Sequence, residues 1–358
     1  METAPISLSG CSTTPPEVRP FARSADEAFA EELFDGVWRL ILPLPYSPRG
    51  TVNCYLLEGA EGHCLVDCGT SLAPGWDALE QALAKAYTEP RSISLLVCTH
   101  AHPDHYGLAA TTKERAGCAL ALAPGPLAVA DVLRDPAVPV ERRRELVRRA
   151  GVPPETLAAA LLPPGDDCHH ERPLPDVRLQ EGDTIPSRSG AWRVVPAPGH
   201  APTQLVLLHE RTRVLICADL TVTLRIPYLE YGHSADPWAE QIASLARCRN
   251  LDATLLLPGH GRPVAEPDQA LAGAVACFET APGLILDSIV DGPLSAYEVV
   301  LEVSGADAPF YTRHMSLAGA LCVLERLEGS GECVAVDGKD GIRRFRALQS
   351  TGGSLRAS

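Results

Sequence analysis

Short apolar runs separated by glycine and proline dominate the chain from Val37 onward. Three of them follow one another closely, at 37–44 (VWRLILPL), 53–59 (NCYLLEG) and 63–69 (HCLVDCG). Short apolar runs bounded by turn-forming residues are typical of buried β-strands. The pattern therefore predicts three successive strands at this point.

Beyond these strands the apolar period changes. Between 72 and 87 apolar residues recur at helical spacing, as Leu72, Trp76, Leu79, Leu83 and Tyr87. A continuous apolar strand is predicted next at 93–98 (ISLLVC), and further strands are predicted at 191–197, 204–210, 213–219 and 254–260. Strands, then strand–helix alternation, then strands again predict two sheets with helices outside them.

The remaining segments follow other patterns. Residues 1–32 are rich in Pro, Ser, Thr and Ala without a period, and predict a mobile lead-in. An insert at about 124–180 is predicted to be helical with proline-rich joints. Residues 283–348 predict three helices and then two strands around an Asp-Gly turn, before a tail at 349–358.

Composition narrows the class of protein. The chain has 358 residues, 46% hydrophobic and 21% charged, which suits a soluble protein with one large and one smaller domain. No apolar run approaches the roughly 20 residues that span a bilayer, and the N-terminus lacks the features of a secretion signal. We therefore expect a cytoplasmic protein that has no membrane partner.

Charge and cysteine usage point the same way. A net charge of −14 argues against non-specific binding to nucleic acid or anionic membranes. The 12 cysteines are scattered singly, without a Cys-x-x-Cys pair. In a reducing compartment this pattern predicts buried free thiols rather than disulfides or a sulfur-ligated metal.

The stretch CTHAHPDHYG, at 98–107, carries the chemistry. It places three of the chain's 11 histidines and one aspartate within six positions, a density that neither a turn nor a core requires. Closely spaced nitrogen and oxygen ligands are what a transition-metal site needs. His200, Asp219 and His260 each follow a predicted strand, where loops present side chains. The full set is His100, His102, Asp104, His105, His200, Asp219 and His260, enough ligands for two ions.

With this set in hand, the chain resembles the metallo-β-lactamase-fold hydrolases. THAHPDH matches their His-x-His-x-Asp-His motif, and the three later ligands fall in the family's order. The resemblance covers about 37–265 and implies an α/β fold, an αββα sandwich, with a catalytic domain at 33–275. Residues 283–348 resemble the small winged-helix-like domain that some members carry.

The resemblance also implies a role for each ligand. His100, His102 and His200 would hold the first metal ion, and Asp104, His105 and His260 the second. Asp219 would bridge the two ions, and Asp67, in the family-like stretch LVDCGT, would support the metal loop. The implied cofactors are two divalent ions per chain, with zinc as the default and iron or manganese as alternatives.

A bridging aspartate favours some branches of the family over others. It is typical of the thioesterase, lactonase, phosphodiesterase and nuclease branches, which makes β-lactamase activity a minor alternative. We expect a hydrolase of the glyoxalase II and thioesterase type, in which water activated by the ions attacks an acyl ester or thioester. Asp104 would be catalytic, orienting the nucleophile or accepting its proton. A lactonase, a nuclease or phosphodiesterase, and a non-enzymatic metal-dependent regulator acting through the winged helix remain alternatives.

Substrate contacts are expected outside the ligand set. In the loop after Asp219, we expect Tyr228, Tyr231 and His233 to contact a small-molecule acyl substrate, with loop packing as the alternative. The insert's ERRRELVRR could bind a phosphate-bearing carrier such as coenzyme A, or could simply be a solvated helix face.

The C-terminal segment is expected to pack rather than to bind DNA. Its third predicted helix, 316–328, has Arg326 as its one lysine or arginine, whereas a DNA-reading helix is normally more basic. We therefore expect a packing or dimerisation module, and a homodimer is possible. Arg343, Arg344 and Arg346 in the predicted wing are the observation against this interpretation.

Overall fold

The computed structural model describes residues 27–45, 50–124, 144–154, 156, 173–221 and 224–348. Within them, a first sheet has seven strands in chain order, antiparallel from β1 to β4 and parallel from β4 to β7. These strands are β1 (Phe29–Phe34), β2 (Val37–Pro43), β3 (Thr51–Leu57), β4 (His63–Val66), β5 (Ile93–Val97), β6 (Ala119–Leu122) and β7 (Val177–Arg178).

The second sheet has five strands in the order β12-β11-β10-β9-β8. Its members are β8 (Thr184–Ser187), β9 (Gly190–Pro196), β10 (Leu205–His209), β11 (Val214–Ala218) and β12 (Leu255–Pro258). Neighbouring strands are antiparallel, except that β11 and β12 run parallel.

Helices lie outside the two sheets. In the described part of the chain they include α1 (Gly75–Lys85), α2 (Pro103–Tyr106), α3 (Ala109–Ala116), α4 (Pro237–Arg249), α5 (Pro267–Ser288), α6 (Ala296–Ser304) and α7 (Phe310–Gly329). A three-stranded sheet near the C-terminus has the order β13-β15-β14, with β13 at Leu294–Ser295, β14 at Cys333–Asp337 and β15 at Arg343–Ala347.

Strand β3 explains how the layers hold together. Successive side chains of a strand face opposite sides of the sheet. All seven residues of β3 are buried, because both sides of the sheet are covered here. Cys54 and Leu56 pack into the core beneath α1, whereas Tyr55 and Leu57 pack into the core between the two sheets. A third core lies between the second sheet and helices α4 to α7. The layer order is therefore helices, sheet, sheet, helices, which confirms the predicted αββα sandwich.

The predicted N-terminal boundary was wrong. The lead-in was expected to reach residue 32, but β1 begins at Phe29 and pairs with β2 along the edge of the first sheet. Its sequence, FAEELF, has two adjacent glutamates and weak alternation, so pairing with β2 rather than local pattern makes it a strand. Residues 1–26, where the rest of the lead-in falls, lie outside the described residues.

The predicted insert is described only in part. Residues 144–149 are helical as expected, and most of the remainder lies outside the described residues. Its predicted end at 180 includes β7, which pairs with β6 and so belongs to the first sheet. Val147, within this helical piece, and Ala150, directly after it, pack into the third core with the C-terminal helices.

Helix α5 spans the predicted junction between the two domains. The expected limits at 275 and 283 both fall within this one helix. Its length and composition alone would suit a membrane crossing. Its buried stripe of Leu271, Ala274, Phe278, Ala281 and Ile285 instead packs into the third core. That spacing is the amphipathic pattern of a helix lying on a globular core. The C-terminal helices therefore share one hydrophobic core with the second sheet.

Candidate metal centre

The predicted ligands lie where strands of both sheets end. His100 follows β5, His200 follows β9, Asp219 directly follows β11 and His260 follows β12. Between His100 and the start of α2, the backbone of His102 is extended, and the helix then turns Asp104 and His105 inward. Pro103 occupies the first helical position, which suits its fixed φ and missing N–H.

Hydrogen bonds between the sheets bring these strand ends together. The backbone N–H of Leu205, at the start of β10, donates to the carbonyl of Thr99 over 2.9 Å. On the other side, Asn53 Nδ2 and Tyr55 Oη in β3 donate to the carbonyl of Pro258 over 2.8 and 2.7 Å. The loop after β5 and the end of β12 are thus each hydrogen-bonded to the opposite sheet.

The ligand atoms form three overlapping groups. In each, the candidate atoms lie within 4.8 Å of one another. The groups are His100, His102 and His200; His100, His105 and Asp219; and Asp104, His105 and His260. Asp219 lies between the outer two, because its Oδ2 is 3.6 Å from His200 Nε2 and 3.3 Å from His260 Nε2. The structure therefore brings all seven predicted ligands together, with Asp219 between the two outer groups.

Three of these side chains carry buried polar atoms that a bound cation would satisfy. Nε2 of His100, Nε2 of His105 and Oδ1 of Asp219 are buried and have no hydrogen-bond partner in the described part of the molecule. Leaving a buried polar atom unsatisfied costs about 1–3 kcal/mol. Gly259 keeps the space open, since a Cβ there would lie 2.3 Å from Asp219 Oδ1. The cluster therefore fits divalent cations that accept nitrogen and oxygen ligands.

Asp67 holds His105 in the orientation that metal binding needs. Its carboxylate accepts hydrogen bonds from the Thr99 backbone N–H at 2.7 Å and the Thr99 hydroxyl at 2.9 Å. The same carboxylate lies 2.8 Å from His105 Nδ1. A proton on Nδ1 leaves the Nε2 lone pair facing the cluster. His260 is held similarly, with Nδ1 3.0 Å from the Thr51 carbonyl. The supporting role predicted for Asp67 thus has a direct geometric basis.

The pKa values of the clustered histidines are shifted in opposite directions at the two ends of the cluster. Burial and the neighbouring imidazoles lower the pKa of His100 well below its usual range and that of His200 to about 3. Burial opposes the charged form of His260 too, but Asp219 and Asp104 outweigh it and raise the pKa to about 10. His100 and His200 are thus neutral imidazoles, ready to bind a cation.

Neighbouring imidazoles keep both carboxylates of the cluster in the charged form. Burial acts to raise the pKa of Asp104, but the charge of His105 and the contact with His260 outweigh it and lower the pKa. Asp219 behaves alike, because His260 and His105 outweigh its burial and hold its pKa well below the usual range. Both side chains are therefore carboxylates, the form that binds a metal ion.

The three predicted substrate contacts fall in different places. The Tyr228 ring lies 5.3 Å from the His102 ring and 5.1 Å from the His200 ring, at the edge of the cluster. His233 reaches the cluster indirectly, through Glu230. Tyr231 is turned toward α7, where its hydroxyl donates to the Glu325 carboxylate.

Glu230 is a site residue that the sequence interpretation missed. Its Oε2 lies 3.6 Å from His102 Nε2 and its Oε1 lies 3.5 Å from His233 Nε2. Burial acts to raise the pKa of Glu230, but the contact with His102 outweighs it and lowers the pKa. The signal available in the sequence was weak, a single acidic residue between two tyrosines in the loop after Asp219.

A family model described as the metallo-beta-lactamase superfamily matches residues 47–260. The chain belongs to this superfamily. The matched range contains all seven predicted ligands and lies within the 37–265 expected from the sequence. The family match and the candidate metal-binding cluster therefore fall on the same part of the chain.

Known proteins similar to this one come from several bacteria. A relative from Bacillus subtilis (strain 168), named "Probable metallo-hydrolase YqjP", is 25% identical over 305 residues, which cover 80% of this chain and 91% of the relative. The metallo-beta-lactamase family protein TTHA1429 from Thermus thermophilus has a TM-score of 0.77 and 26% identity, over 88% of this chain and 100% of that one. A beta-lactamase domain protein from Burkholderia ambifaria has a TM-score of 0.70 and 25% identity, over 92% and 96% of the two chains. The likeness thus extends beyond residue 260 into the C-terminal helices.

Proposed function

We propose that this protein is a dinuclear metal-dependent hydrolase that cleaves an acyl ester or thioester, as in the glyoxalase II and thioesterase branch of the superfamily. The observation that carries the proposal is the convergence of seven nitrogen and oxygen ligands, three of them with unsatisfied buried atoms. A structural zinc site is closed by four ligands, so a set of seven supports a catalytic site instead. The name metallo-hydrolase given to the Bacillus subtilis relative agrees with this proposal.

In this proposal the two outer groups of ligands each hold one ion. His100, His102 and His200 would bind the first, Asp104, His105 and His260 the second, and Asp219 both. Zinc is the expected metal, with iron or manganese as alternatives. Two such ions would lower the pKa of a water molecule toward about 7 and polarise the scissile carbonyl.

Asp104 is the proposed catalytic carboxylate. Its side chain is 13% exposed, whereas that of His105 beside it is fully buried, so Asp104 lies nearer the solvent. One oxygen, Oδ2, lies 3.2 Å from His260 Nε2. The other oxygen could orient an attacking water and accept its proton. The lowered pKa of Asp104 keeps this group ionised at neutral pH.

The chemistry of the leaving group favours thioesters. A thiol has an ordinary pKa of about 8.5, so a thiolate departs without a dedicated general acid. Tyr228 is placed to contact the acyl substrate, because its hydroxyl lies 3.4 Å from His102 Nε2 at the rim of the cluster. We propose a small acyl group on coenzyme A or another thiol carrier as the substrate.

Charge weighs against the nuclease alternative. The net charge of −14 would repel a polyanion. Two of the three wing arginines also have carboxylate partners, because Arg343 pairs with Glu328 and Arg344 with Asp340. A cytoplasmic location and a homodimer stay predictions from the sequence.

Metal analysis and a substrate panel test the proposal. Purified, zinc-supplemented protein should carry close to two ions per chain by elemental analysis, and one ion or fewer would contradict the dinuclear centre. The same protein is then assayed against acyl thioesters, lactones and single-stranded RNA, with Asp104→Asn as the inactive control. Thioesters should be hydrolysed fastest. RNA cleavage at a matching rate, lost in the control, would favour the nuclease instead.

A further inference from the structure

The C-terminal helix α7 is in close contact with the loop that overhangs the cluster. Ser316 in α7 donates from its hydroxyl to the carbonyl of Ile226 over 3.2 Å. One turn further along, a Cβ at Gly319 would lie only 1.9 Å from the carbonyl oxygen of Pro227. This backbone approach is possible only because residue 319 is glycine. Helix α7 therefore sets where the loop can lie.

The other side of the same loop rests on the proposed first metal site. The Glu230 backbone N–H donates to the carbonyl of His200 over 3.1 Å. The Glu230 carboxylate and the Tyr228 hydroxyl both approach Nε2 of His102, at 3.6 and 3.4 Å. Both residues lie within four positions of Pro227, so a shift of the loop at α7 would move them.

His102 is the ligand that this loop can orient. Its Nδ1 lies 3.1 Å from Nε2 of His200, so Nδ1 faces the other members of the first group and Nε2 faces the loop. A carboxylate that accepts a hydrogen bond from the outer N–H of a ligating histidine fixes both its tautomer and its ring orientation. Glu230 lies on the outer side of His102, with Oε2 3.6 Å from Nε2, just as Asp67 lies on the outer side of His105, 2.8 Å from Nδ1.

We propose that α7 contributes to the metal centre, although none of the seven predicted ligands lies in it. Through Ser316 and Gly319 it fixes the 226–230 loop, and Glu230 then acts as a positioning residue that holds His102 toward the first ion. This inference rests on the proposed two-ion site but not on the choice of substrate. It assigns the C-terminal segment a role in metal retention, beyond packing.

A positioning role for α7 and a purely packing role predict different effects on the two ions. Glu230 contacts His102, a member of the first group, whereas the second group of Asp104, His105 and His260 is held by Asp67 and the Thr51 carbonyl. A loop displaced by α7 should therefore weaken the first ion selectively. Loss of packing alone would lower the stability of the whole molecule and leave the affinity ratio of the two ions unchanged.

Two variants with a matched control test this. Gly319→Ala adds a methyl group against Pro227, and Glu230→Gln removes the carboxylate charge at constant size. Gly329→Ala is the control, because it makes the same change in the same helix where nothing lies within 4 Å. Each full-length protein is loaded with zinc and titrated with a chelator, and the two dissociation steps are measured separately.

We expect Gly319→Ala and Glu230→Gln to weaken one of the two steps by about 10–100-fold, the range for partners of ligating histidines. The other step and the control should match the wild type. Equal weakening of both ions, or wild-type affinity in Glu230→Gln, would overturn the proposal. Should Gly319→Ala fail to fold, Glu230→Gln decides alone, since it changes no packing volume. A wild-type protein that binds fewer than two ions would instead contradict the proposed function, so the two failures are distinguishable.

Discussion

Replacing Asp67 by asparagine tests how far one buried carboxylate controls the candidate metal centre. Asp67 is 2% exposed, and its backbone φ is +60°, a left-handed conformation that aspartate and asparagine tolerate better than most residues. Asp67→Asn therefore keeps the backbone and the size of the side chain. It changes only the charge and one hydrogen-bonding group.

The expected effect follows from the contacts of this side chain. The amide oxygen can still accept from the Thr99 N–H, but the amide NH₂ would then face His105 Nδ1, which now lies 2.8 Å from a carboxylate oxygen. A donor there favours the tautomer with its proton on Nε2, the atom that faces the cluster. Loss of such a partner typically costs 10–100-fold in metal affinity, or about 1.4–2.7 kcal/mol.

Asp67→Ala should be worse. It removes all three hydrogen bonds and leaves the buried Thr99 N–H without its partner, while the Thr99 hydroxyl keeps only its contact with His100 Nδ1. Breaking a buried charged pair from one side costs about 3–5 kcal/mol. An alanine held at φ +60° adds about 1 kcal/mol more. We therefore expect reduced stability even without metal.

Chelator competition and denaturant unfolding separate these effects. Asp67→Asn should release one zinc ion at about 10–100-fold lower chelator concentration, with the unfolding midpoint of the metal-free protein close to wild type. Asp252→Asn, at another positive-φ aspartate on an exposed turn, is the control and should change neither quantity. Wild-type retention of both ions in Asp67→Asn would refute the orienting role.

Three further predictions concern other parts of the molecule. The Asp219→Ala variant should retain at least one ion fewer on elemental analysis and turn over several orders of magnitude more slowly, because it lacks the carboxylate between the two ligand groups. Asp104→Asn should be comparably damaging in rate assays, since it weakens a ligand and removes the proton acceptor. The nine cysteines that are buried in the described part of the chain should not react with Ellman's reagent until the protein unfolds, because burial raises the pKa of thiols such as Cys54 and Cys217. Truncation at residue 283 should cause aggregation, seen by light scattering, because it cuts α5 and uncovers the third core.

Each of these predictions has an outcome that contradicts it. Near-normal activity and metal content in either aspartate variant would remove the role assigned to that residue. Rapid labelling of more than the three remaining cysteines, Cys11, Cys168 and Cys277, in the folded protein would show that the core is accessible. A soluble truncated protein with full metal retention would show that the C-terminal helices are dispensable.

Much of the sandwich could be predicted because its strands carry strong local signals. Runs such as ISLLVC, which gives β5, are apolar with little interruption, since parallel strands covered on both faces have no fully polar side. The edge strand β1 was missed for the opposite reason. Its burial is only partial and its pattern is weak, so its pairing with β2 decides its structure.

The cluster of candidate metal ligands could be predicted from residue type and position, whereas the residues that surround it could not. Three histidines and one aspartate within six positions stand out in the sequence. Glu230 had no such signal, because one acidic residue in a loop is more often solvated. Tyr231 was expected to contact substrate, but its hydroxyl bonds to Glu325, 94 positions away in the chain.

The sequence by itself determined the αββα class, most strands and the seven candidate ligands, because each depends on local hydrophobic period or on residue chemistry. Only the tertiary structure decided which strand ends meet, how Asp67 and Glu230 orient two histidines, and that α7 lies on the loop over the cluster. His102 and His200 are 98 positions apart, and Ser316 and Ile226 are 90 apart. Contacts at such separations arise from the packing of sheets and helices on shared cores, and no local pattern encodes them.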